Sequence, residues 1–557
     1  MPSFAEARAR LTGPGGPFEL AIEDVLGERM AVIAKRPRSL RELLEGSAAR
    51  GELEYVVLGS RRIGYAEHAR LVASVARAFE QRFGVQKGDR VAILAANRPE
   101  WIVAFWASVS LGAIVSSMNG WWTADEIRHA LALSQPRLLI ADRKRLERAR
   151  REDLRGIAVV EMETQFAELE RFAPGAALPT TPLAEDDPAV ILFTSGTTGR
   201  AKGAVNTHRG IVGFVQANFL SGAERMLAAA GSGAPAPVPA GQNVTLGAPP
   251  LFHLSGLYGT TVMGLATGSK IVLREGRFDP EDVLRVIERE RVTSFTALGS
   301  TGPRVLDHPG FSKFDVSSVR TVGFGGAPTS PALQQRMREA FPNARDSVSM
   351  GYGSSESVST ITAISGAEYL AHPESCGRPV PTLEVEIRDA SGKVLPEGVE
   401  GEIFSRSPYT MLGYWGDPEA TAKAIHPGRW LATGDIGRLE GGYLYINSRA
   451  RDMILRSAEN VYPVEIEYRL EAHPLVAEAA VIGVDHAELG QEVKAIVVPA
   501  GDAAPGPEEL ARWCAETLAG YKVPSLWEIR REPLPRNAAG KVLKNVLRGE
   551  QDATQRD

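Results

Sequence analysis

From Gly64 onward, apolar positions recur with two alternating periods. Leu71, Val72, Val75, Ala76, Phe79 and Phe83 fall at helical spacing, and the turn Lys87-Gly88-Asp89 leads into an apolar run from Val91 to Leu94. Thr123-Ala-Asp-Glu126 has the form of a capping box, opening a helix that carries Ile127 and Leu131 before the apolar run Leu138 to Ala141. The same rhythm continues through Val190 to Phe193, Ile271 to Leu273, Thr293 to Ala297 and Val319 to Gly323. Strands alternating with helices in this way predict parallel sheets covered by helices. Between Trp101 and Ala124 no residue is charged, a length compatible with a membrane span. Gly112, Ser116, Ser117 and the Asn119-Gly120 turn signal divide the stretch, so it reads as a buried helix followed by a short strand.

After Pro381 the texture changes. Val385 and Ile387 alternate with charged residues, Ser391-Gly392 has the form of a hairpin turn, and short strands up to Ile446 predict a small antiparallel unit resembling a β-barrel. A charged stretch from Arg449 to Asp452 marks a boundary. Beyond it lies a compact α+β domain whose first helix starts at Pro463, a residue suited to a helix's first turn. The expected class is therefore α/β, with a large N-terminal domain over 1–450 built of two α/β subdomains plus the β unit, and a small α+β domain over 451–557. A total of 557 residues is too long for a single core, which agrees. The Ala-, Pro- and Gly-rich segment Ala228 to Ala240 reads as an exposed loop.

Composition is that of an ordinary globular chain, and a net charge of -5 argues against an electrostatic grip on nucleic acid or anionic membrane. Cys376 and Cys514 stand far apart and in no metal-ligand spacing, as expected of reduced thiols in a reducing compartment. Neither terminus carries a recognised targeting pattern, and the cytoplasm is the expected location.

The chemistry is concentrated in one loop. Thr194-Ser-Gly-Thr-Thr-Gly-Arg-Ala-Lys-Gly203 follows directly on the apolar run ending at Phe193. Its glycines let the backbone curl closely about an anion, its hydroxyls supply donors, and Lys202 adds positive charge, which points to polyphosphate binding. The spacing is not that of a Walker loop.

This segment closely resembles the phosphate-binding signature of the acyl-adenylate-forming superfamily, which includes acyl-CoA synthetases, adenylation domains of nonribosomal synthetases and beetle luciferases. Further motifs of the family follow in order over nearly the whole chain. The resemblance implies that Thr194, Ser195, Gly196, Thr197, Thr198, Gly199 and Lys202 hold the ATP phosphates. Tyr352-Gly-Ser-Ser-Glu356 resembles the family's Y-G-x-T-E element, so Tyr352 is expected to stack on adenine beside Gly351 and Gly353. Ser355, where the family usually has Thr, would contact phosphate, and Glu356 would bind Mg²⁺. Gly325, Gly326, Ala327 and Pro328 match the turn forming the other wall of the adenine slot. Asp435, in Thr433-Gly-Asp435, matches the ribose acceptor, and Arg449 a ribose-contacting Arg before the hinge. His253, in Pro249-Pro-Leu-Phe-His253, matches a residue lining the acyl channel, and Lys541, in Asn537-Ala-Ala-Gly-Lys541, the lysine that enters the first-domain site during adenylation.

Two departures from the family pattern matter. Arg451 stands where the hinge usually has Asp or Lys, and Ser457 and Ala458 replace two glycines that let the pantetheine arm approach. The implied activity is ATP-dependent acid–thiol ligation in two steps, with ATP, Mg²⁺ and coenzyme A as cofactors and co-substrates. Residues 451–557 would act as a mobile domain that rotates to present Lys522, Ser457 and Ala458 to the thiol. The expected partners are a small-molecule carboxylic acid, ATP and CoA, with a homodimer as a further option. A stand-alone adenylation enzyme loading an acyl carrier protein is the alternative; a luciferase-like oxidase and a nonenzymatic nucleotide sensor are weaker rivals. The acyl pocket is expected among Phe252 to Tyr258, Leu298 to Gly302, Phe324 and Ser349 to Gly351.

Overall fold

The computed structural model describes residues 4–194, 200–230, 241–276, 278–297, 301–325, 329–358, 360–449, 452–456, 459–486, 489–537 and 540–550. Two sheets carry the larger part of the chain. One has six strands, in the spatial order Lys202–Thr207, Pro188–Thr194, Ile114–Ser117, Arg90–Leu94, Leu138–Ala141 and Ala158–Glu161. Every neighbouring pair in it is parallel except the first, where Lys202–Thr207 turns back antiparallel along Pro188–Thr194. The other has nine strands, parallel through its centre and antiparallel at both edges.

Burial explains the apolar runs. Ile114–Ser117 and Leu138–Ala141 are buried at every position, as strands covered on both faces must be. The uncharged stretch is a helix, Pro99–Leu111, sealed between the sheets, with Trp101, Phe105 and Trp106 fully buried in the largest core cluster. It ends where Gly112 takes a left-handed φ of 80° and donates its N–H to Ser108. The capping box forms as the sequence predicts: Thr123 accepts from the Glu126 N–H while Glu126 accepts from the Thr123 backbone. One strand starts later than its apolar pattern, at Thr321 rather than Val319, because Val319 closes a turn onto Val316.

The segment after Pro381 forms an antiparallel five-stranded sheet of Glu384–Arg388, Gly401–Arg406, Trp430–Glu440, Ile425–His426 and Tyr443–Arg449. A last five-stranded sheet, from Ile454–Arg456 to Leu526–Ile529, packs against the helices Pro463–Glu471 and Pro507–Ala515 around Ile466, Leu470, Val481, Val497 and Leu510. Both cysteines are free thiols. Among the described residues no helix is long and apolar enough to cross a membrane. The segment read as an exposed loop begins inside a helix, His208–Ala230, and its remainder, 231–240, lies outside the described residues.

That long helix binds the β unit tightly. A Cβ added to Gly213 would lie 2.0 Å from the ring of Tyr409, whose hydroxyl accepts from Thr382. Gly213→Ala is expected to destabilise the protein by about 1–3 kcal/mol through overpacking. Urea denaturation checks this; an unchanged midpoint would mean that Tyr409 is free to move aside.

Candidate active site

Open α/β sheets gather ligands at the carboxyl ends of their strands. Three such ends converge here: Thr194 of the six-stranded sheet, and Gly325 and Gly353 of the nine-stranded one. Lys202 is the register partner of Thr194, so the phosphate-loop segment leaves and re-enters the same sheet edge. Ser195, Gly196, Thr197, Thr198 and Gly199 lie outside the described residues, as do Gly326, Ala327 and Pro328.

At the end of Val348–Gly353 the chain makes a turn locked by reciprocal bonds: the Ser354 N–H donates to the Ser357 hydroxyl (2.9 Å), and the Ser357 N–H to that of Ser354 (3.2 Å). The turn presents Glu356, whose Oε1 accepts from the Tyr414 hydroxyl at 2.9 Å. Lys202 Nζ stands 5.2 Å from the centre of the same Tyr414 ring. Burial and the Glu356 charge push the Tyr414 phenol far above its ordinary range, so it remains a donor. Ser355 is fixed through its carbonyl, which accepts from Asn206 Nδ2 at 3.0 Å, and Asn206 in turn accepts from the buried Tyr258 hydroxyl at 2.8 Å. Of these, Tyr258 closes the expected acyl-pocket segment, whereas Tyr414 and Asn206 are not among the candidates the sequence offers. Leu-Gly-Tyr-Trp around Tyr414 carries no chemical signature, and only the fold brings it to Glu356.

Asp435 joins Tyr352 to Arg449. Its Oδ2 accepts from the Tyr352 hydroxyl at 2.6 Å, and its Oδ1 lies 3.5 Å from Arg449 Nε. Cross-strand register pairs Asp435 with Arg449 directly. Thr433 braces the turn by donating to the Ile403 carbonyl and accepting from the Asp435 N–H. Gly325 pairs with Gly351, and a Cβ on Gly325 would come within 3.3 Å of the Gly351 carbonyl. Both glycines thus keep a slot flat beside Tyr352. The partly buried Cys376 thiol nearby is pushed up to about 12 by desolvation and by Asp435, so it stays protonated.

His253 precedes a π-helix, Ser255–Val262, a rare winding that accompanies functional sites. The tight entry demands glycine at 256, where a Cβ would lie 2.0 Å from the Pro250 carbonyl. The imidazole lies tilted against Phe252 with ring centres 4.8 Å apart, and its buried Nε2 has no hydrogen-bond partner among the described residues. Burial first, and the Lys541 charge second, lower its pKa to about 4. Lys541 therefore comes from the C-terminal end of the chain to the vicinity of His253. It is held there by its N–H to Asn537 Oδ1 (3.0 Å) and by the Asn537 N–H to its carbonyl (2.9 Å).

Together these groups border one cavity of about 2930 Å³, lined by Thr194, Lys202, His253, Glu356, Asp435 and Lys541. Lys522 does not line it. Its Nζ pairs with Glu465 at 2.7 Å, next to Arg456, which donates to the Tyr521 carbonyl. Lys522 is thereby grouped with the strand leading to residues 457–458 on another face of the small domain. Ser457, Ala458 and Arg451 themselves lie outside the described residues, and so do Leu298 to Ser300 of the expected pocket wall.

Protonation of His253 is linked to stability. The folded protein resists protonation down to about pH 4, whereas the unfolded chain binds the proton near 6.5, so this contribution is complete above pH 6.5 and lost as pH falls toward 4. The loss amounts to roughly 3 kcal/mol. His253→Asn should therefore lose less stability than the wild type between pH 7 and 4 in paired denaturation curves, and parallel losses would place His253 in solvent.

Residues 44–415 match the model of the AMP-binding enzyme family, and residues 465–541 that of the AMP-binding enzyme C-terminal domain. The chain is 34% identical over 499 residues to a feruloyl-CoA synthase of an Amycolatopsis species, covering 88% of this chain and 94% of that protein. It is 33% identical over 509 residues to a long-chain-fatty-acid–CoA ligase of Yersinia pestis, covering 85% and 87%. Among solved structures, the anthranilate CoA ligase AuaEII in complex with anthranoyl-AMP superposes with a TM-score of 0.82 at 25% identity, over 92% of this chain and 97% of that one. With more than half of its length matched by the family model and a site assembled from the family's motifs, the chain belongs to the AMP-binding enzymes.

Proposed function

We propose that this protein is an AMP-forming acyl-CoA synthetase. It joins a carboxylic acid to ATP as an acyl-adenylate, releasing pyrophosphate, and then transfers the acyl group to coenzyme A, releasing AMP. The observation that carries the reading is the convergence of the Tyr352–Asp435 pair, the Lys202–Tyr414–Glu356 group and Lys541 on a single cavity. Residues 1–450 form the adenylation domain in this reading, and 451–557 the mobile one. Cytoplasmic action fits the sequence, and a homodimer is compatible with it.

Adenylation brings two anions together, and the residues answer that difficulty. The base lies in the slot beside Tyr352 and over Gly325 and Gly351, while Asp435 accepts the ribose hydroxyls, a task suited to a two-oxygen acceptor. The phosphates fall toward Thr194 and Lys202. Among the described residues no cluster of three or more His, Cys, Asp or Glu forms a metal cage. A single carboxylate plus substrate phosphate oxygens is the donor set Mg²⁺ prefers, and Glu356, with one oxygen tied to Tyr414, would hold the cation through the other. When bound there, Mg²⁺ would neutralise charge on the departing pyrophosphate. The substrate carboxylate oxygen attacks the α-phosphorus, and the bond to the pyrophosphate oxygen breaks. Lys541 aligns the attacking carboxylate and offsets the developing charge. His253, neutral and dry, walls the reacting carboxylate without adding a charge that would compete with Lys541.

In the second step the thiol sulfur attacks the acyl carbon, the carbon–oxygen bond to AMP breaks, and the thiol proton passes to solvent. Lys541 is not needed, and the face bearing Arg456 and Lys522 would turn to the site. A carrier-protein thiol is the second reading, because it arrives on the same phosphopantetheine arm as that of CoA. AMP release with CoA, against release with a phosphopantetheinylated carrier, separates the two.

Lys541→Ala is expected to lower pyrophosphate release from acid and ATP by about a hundred- to thousand-fold. Thioester formation from supplied acyl-AMP should change little. Equal losses in both half-reactions of a folded variant would exclude a lysine serving one step only.

Asp435→Ala is expected to weaken ATP binding by about 1.5–3 kcal/mol for each charged hydrogen bond lost. Wild type should prefer ATP over its 2′-deoxy analogue and the variant should not, as titration calorimetry would show. A preference of the same size in both proteins would remove Asp435 from the ribose site.

A further inference from the structure

Beyond His253 the cavity continues into a slot between the nine-stranded sheet and the helical run from Ser255 to Thr267. A buried parallel sheet ordinarily carries Val, Ile and Leu on both faces. This one does so on one face only. Val244, Leu246, Phe295, Val322, Val348 and Met350 point into a continuous apolar core. Alternate positions on the same strands point the other way, and they are Thr245, Ser294, Thr296, Gly323 and Ser349.

Cross-strand register shows where the change begins. Val56 pairs with Ile271, Ile271 with Thr245, and Thr245 with Ser294, so one row across one face passes from core aliphatics to hydroxyls. The next row runs Thr296, Gly323, Ser349. The Thr296 and Ser349 hydroxyls flank Gly323, 3.5 and 3.7 Å from the point where its Cβ would stand. Thr245, Ser294 and Thr296 line the cavity. The side chains of Ser294 and Thr296 make no hydrogen bond within the described residues. Two residues further on, the same face supplies Gly325 and Gly351 of the adenine slot.

The opposite wall is built alike. Ser255, Gly259, Met263 and Thr267, one turn apart along the helical run, line the cavity, and a Cβ on Gly259 would meet nothing within 4 Å. The cavity borders this sheet at Thr245, Thr296, Gly325 and Gly351, on four neighbouring strands about 14 Å across at roughly 4.8 Å per strand. A lone alkyl chain, about one strand spacing wide, leaves most of that floor empty. It also strips water from the Ser294 and Thr296 hydroxyls, which have no partner among the described residues.

We infer that the acid accepted here is broad and oxygenated: a carboxylic acid whose body is a ring or fused-ring system bearing hydroxyl, methoxy or carbonyl groups, which the Ser294 and Thr296 hydroxyls bind. The inference rests on the adenylation reading and specifies the substrate class of that same site. Oxygen substituents take the place of water on the floor, and the small side chains of both walls admit the ring.

Pyrophosphate release over a matched panel tests it, using benzoic and 3-phenylpropanoic acids with and without ring hydroxyl or methoxy groups, beside decanoic and hexadecanoic acids. The oxygenated ring acids should exceed their unsubstituted counterparts in kcat/KM by tenfold or more, and the straight-chain acids should fall below both. Thr296→Val, which keeps the shape and removes the hydroxyl, and Ser294→Ala should each bring that ratio several-fold closer to one. They should act through KM for the oxygenated acids, and change KM for the unsubstituted ones less. Efficient turnover of the straight-chain acids alone would overturn the substrate class and leave adenylation standing, as would ratios unmoved in both folded variants. No pyrophosphate release with any acid, from protein that still binds ATP, would overturn both.

Discussion

The Tyr414 hydroxyl bonded to Glu356, with Lys202 beside the same ring, is the contact on which the arrangement of the site depends. Its backbone setting explains why. The segment from 411 to 415 runs along Lys202–Thr207 through the Leu412 N–H to Val205, the Val205 N–H to Gly413 and the Trp415 N–H to Gly203. It therefore extends the six-stranded sheet. At its start, the Met411 N–H donates to the Glu356 carbonyl, which belongs to the turn ending a strand of the nine-stranded sheet. Tyr414 thus stands at the seam of the two sheets, and the phosphate lysine and the candidate metal carboxylate are positioned by one side chain. A phenol held far above its ordinary pKa is a permanent donor, so the carboxylate is oriented without being neutralised.

Electrostatics in the cavity follow from the same economy of charge. Burial keeps His253 neutral at neutral pH, and Cys376 is kept as a thiol. Neither adds a charge near the reacting centre. Among the positive groups lining the cavity, Lys202, Lys541 and Arg449 come from three separate segments of the chain. Lys541 belongs to the C-terminal part of the chain while Lys202 does not, so the cavity draws its cations from both. Lys522, paired with Glu465, does not line the cavity.

How much of this was legible in the sequence depends on the range of the interactions involved. The buried helix Pro99–Leu111, the capping box at Thr123 and the strand of Pro188–Thr194 are encoded by neighbours in the chain, and periodicity found them. Asp435, Glu356 and Lys541 were found because they sit in recognisable motifs, although the bond from Tyr352 to Asp435 was not, since 83 residues separate the two. Tyr414 escaped because its neighbours say nothing about Glu356. The π-helix at Ser255 escaped because apolar periodicity does not distinguish its winding from an α-helix. The hydroxyl floor was illegible for a different reason. Val244–Leu246 and Ser294–Thr296 are each three residues long, too short for alternation to register, and their rows exist only through pairing between distant segments.

That floor also shows how one sheet serves two demands that ordinarily conflict. A strand buried on both faces stabilises the fold by apolar area, whereas a substrate site needs space and unpaired polar groups, which cost stability. The strict alternation of side chains separates the demands residue by residue. Phe295 and Val322 hold the core, while Thr296 and Gly323, their immediate neighbours in sequence, face the cavity. Substitution on the cavity face changes what the slot accepts without removing a buried aliphatic from the core beneath. The same face ends at Gly325 and Gly351, where a Cβ on Gly325 would come within 3.3 Å of the Gly351 carbonyl, so close backbone approach keeps that end of the surface to the smallest residue.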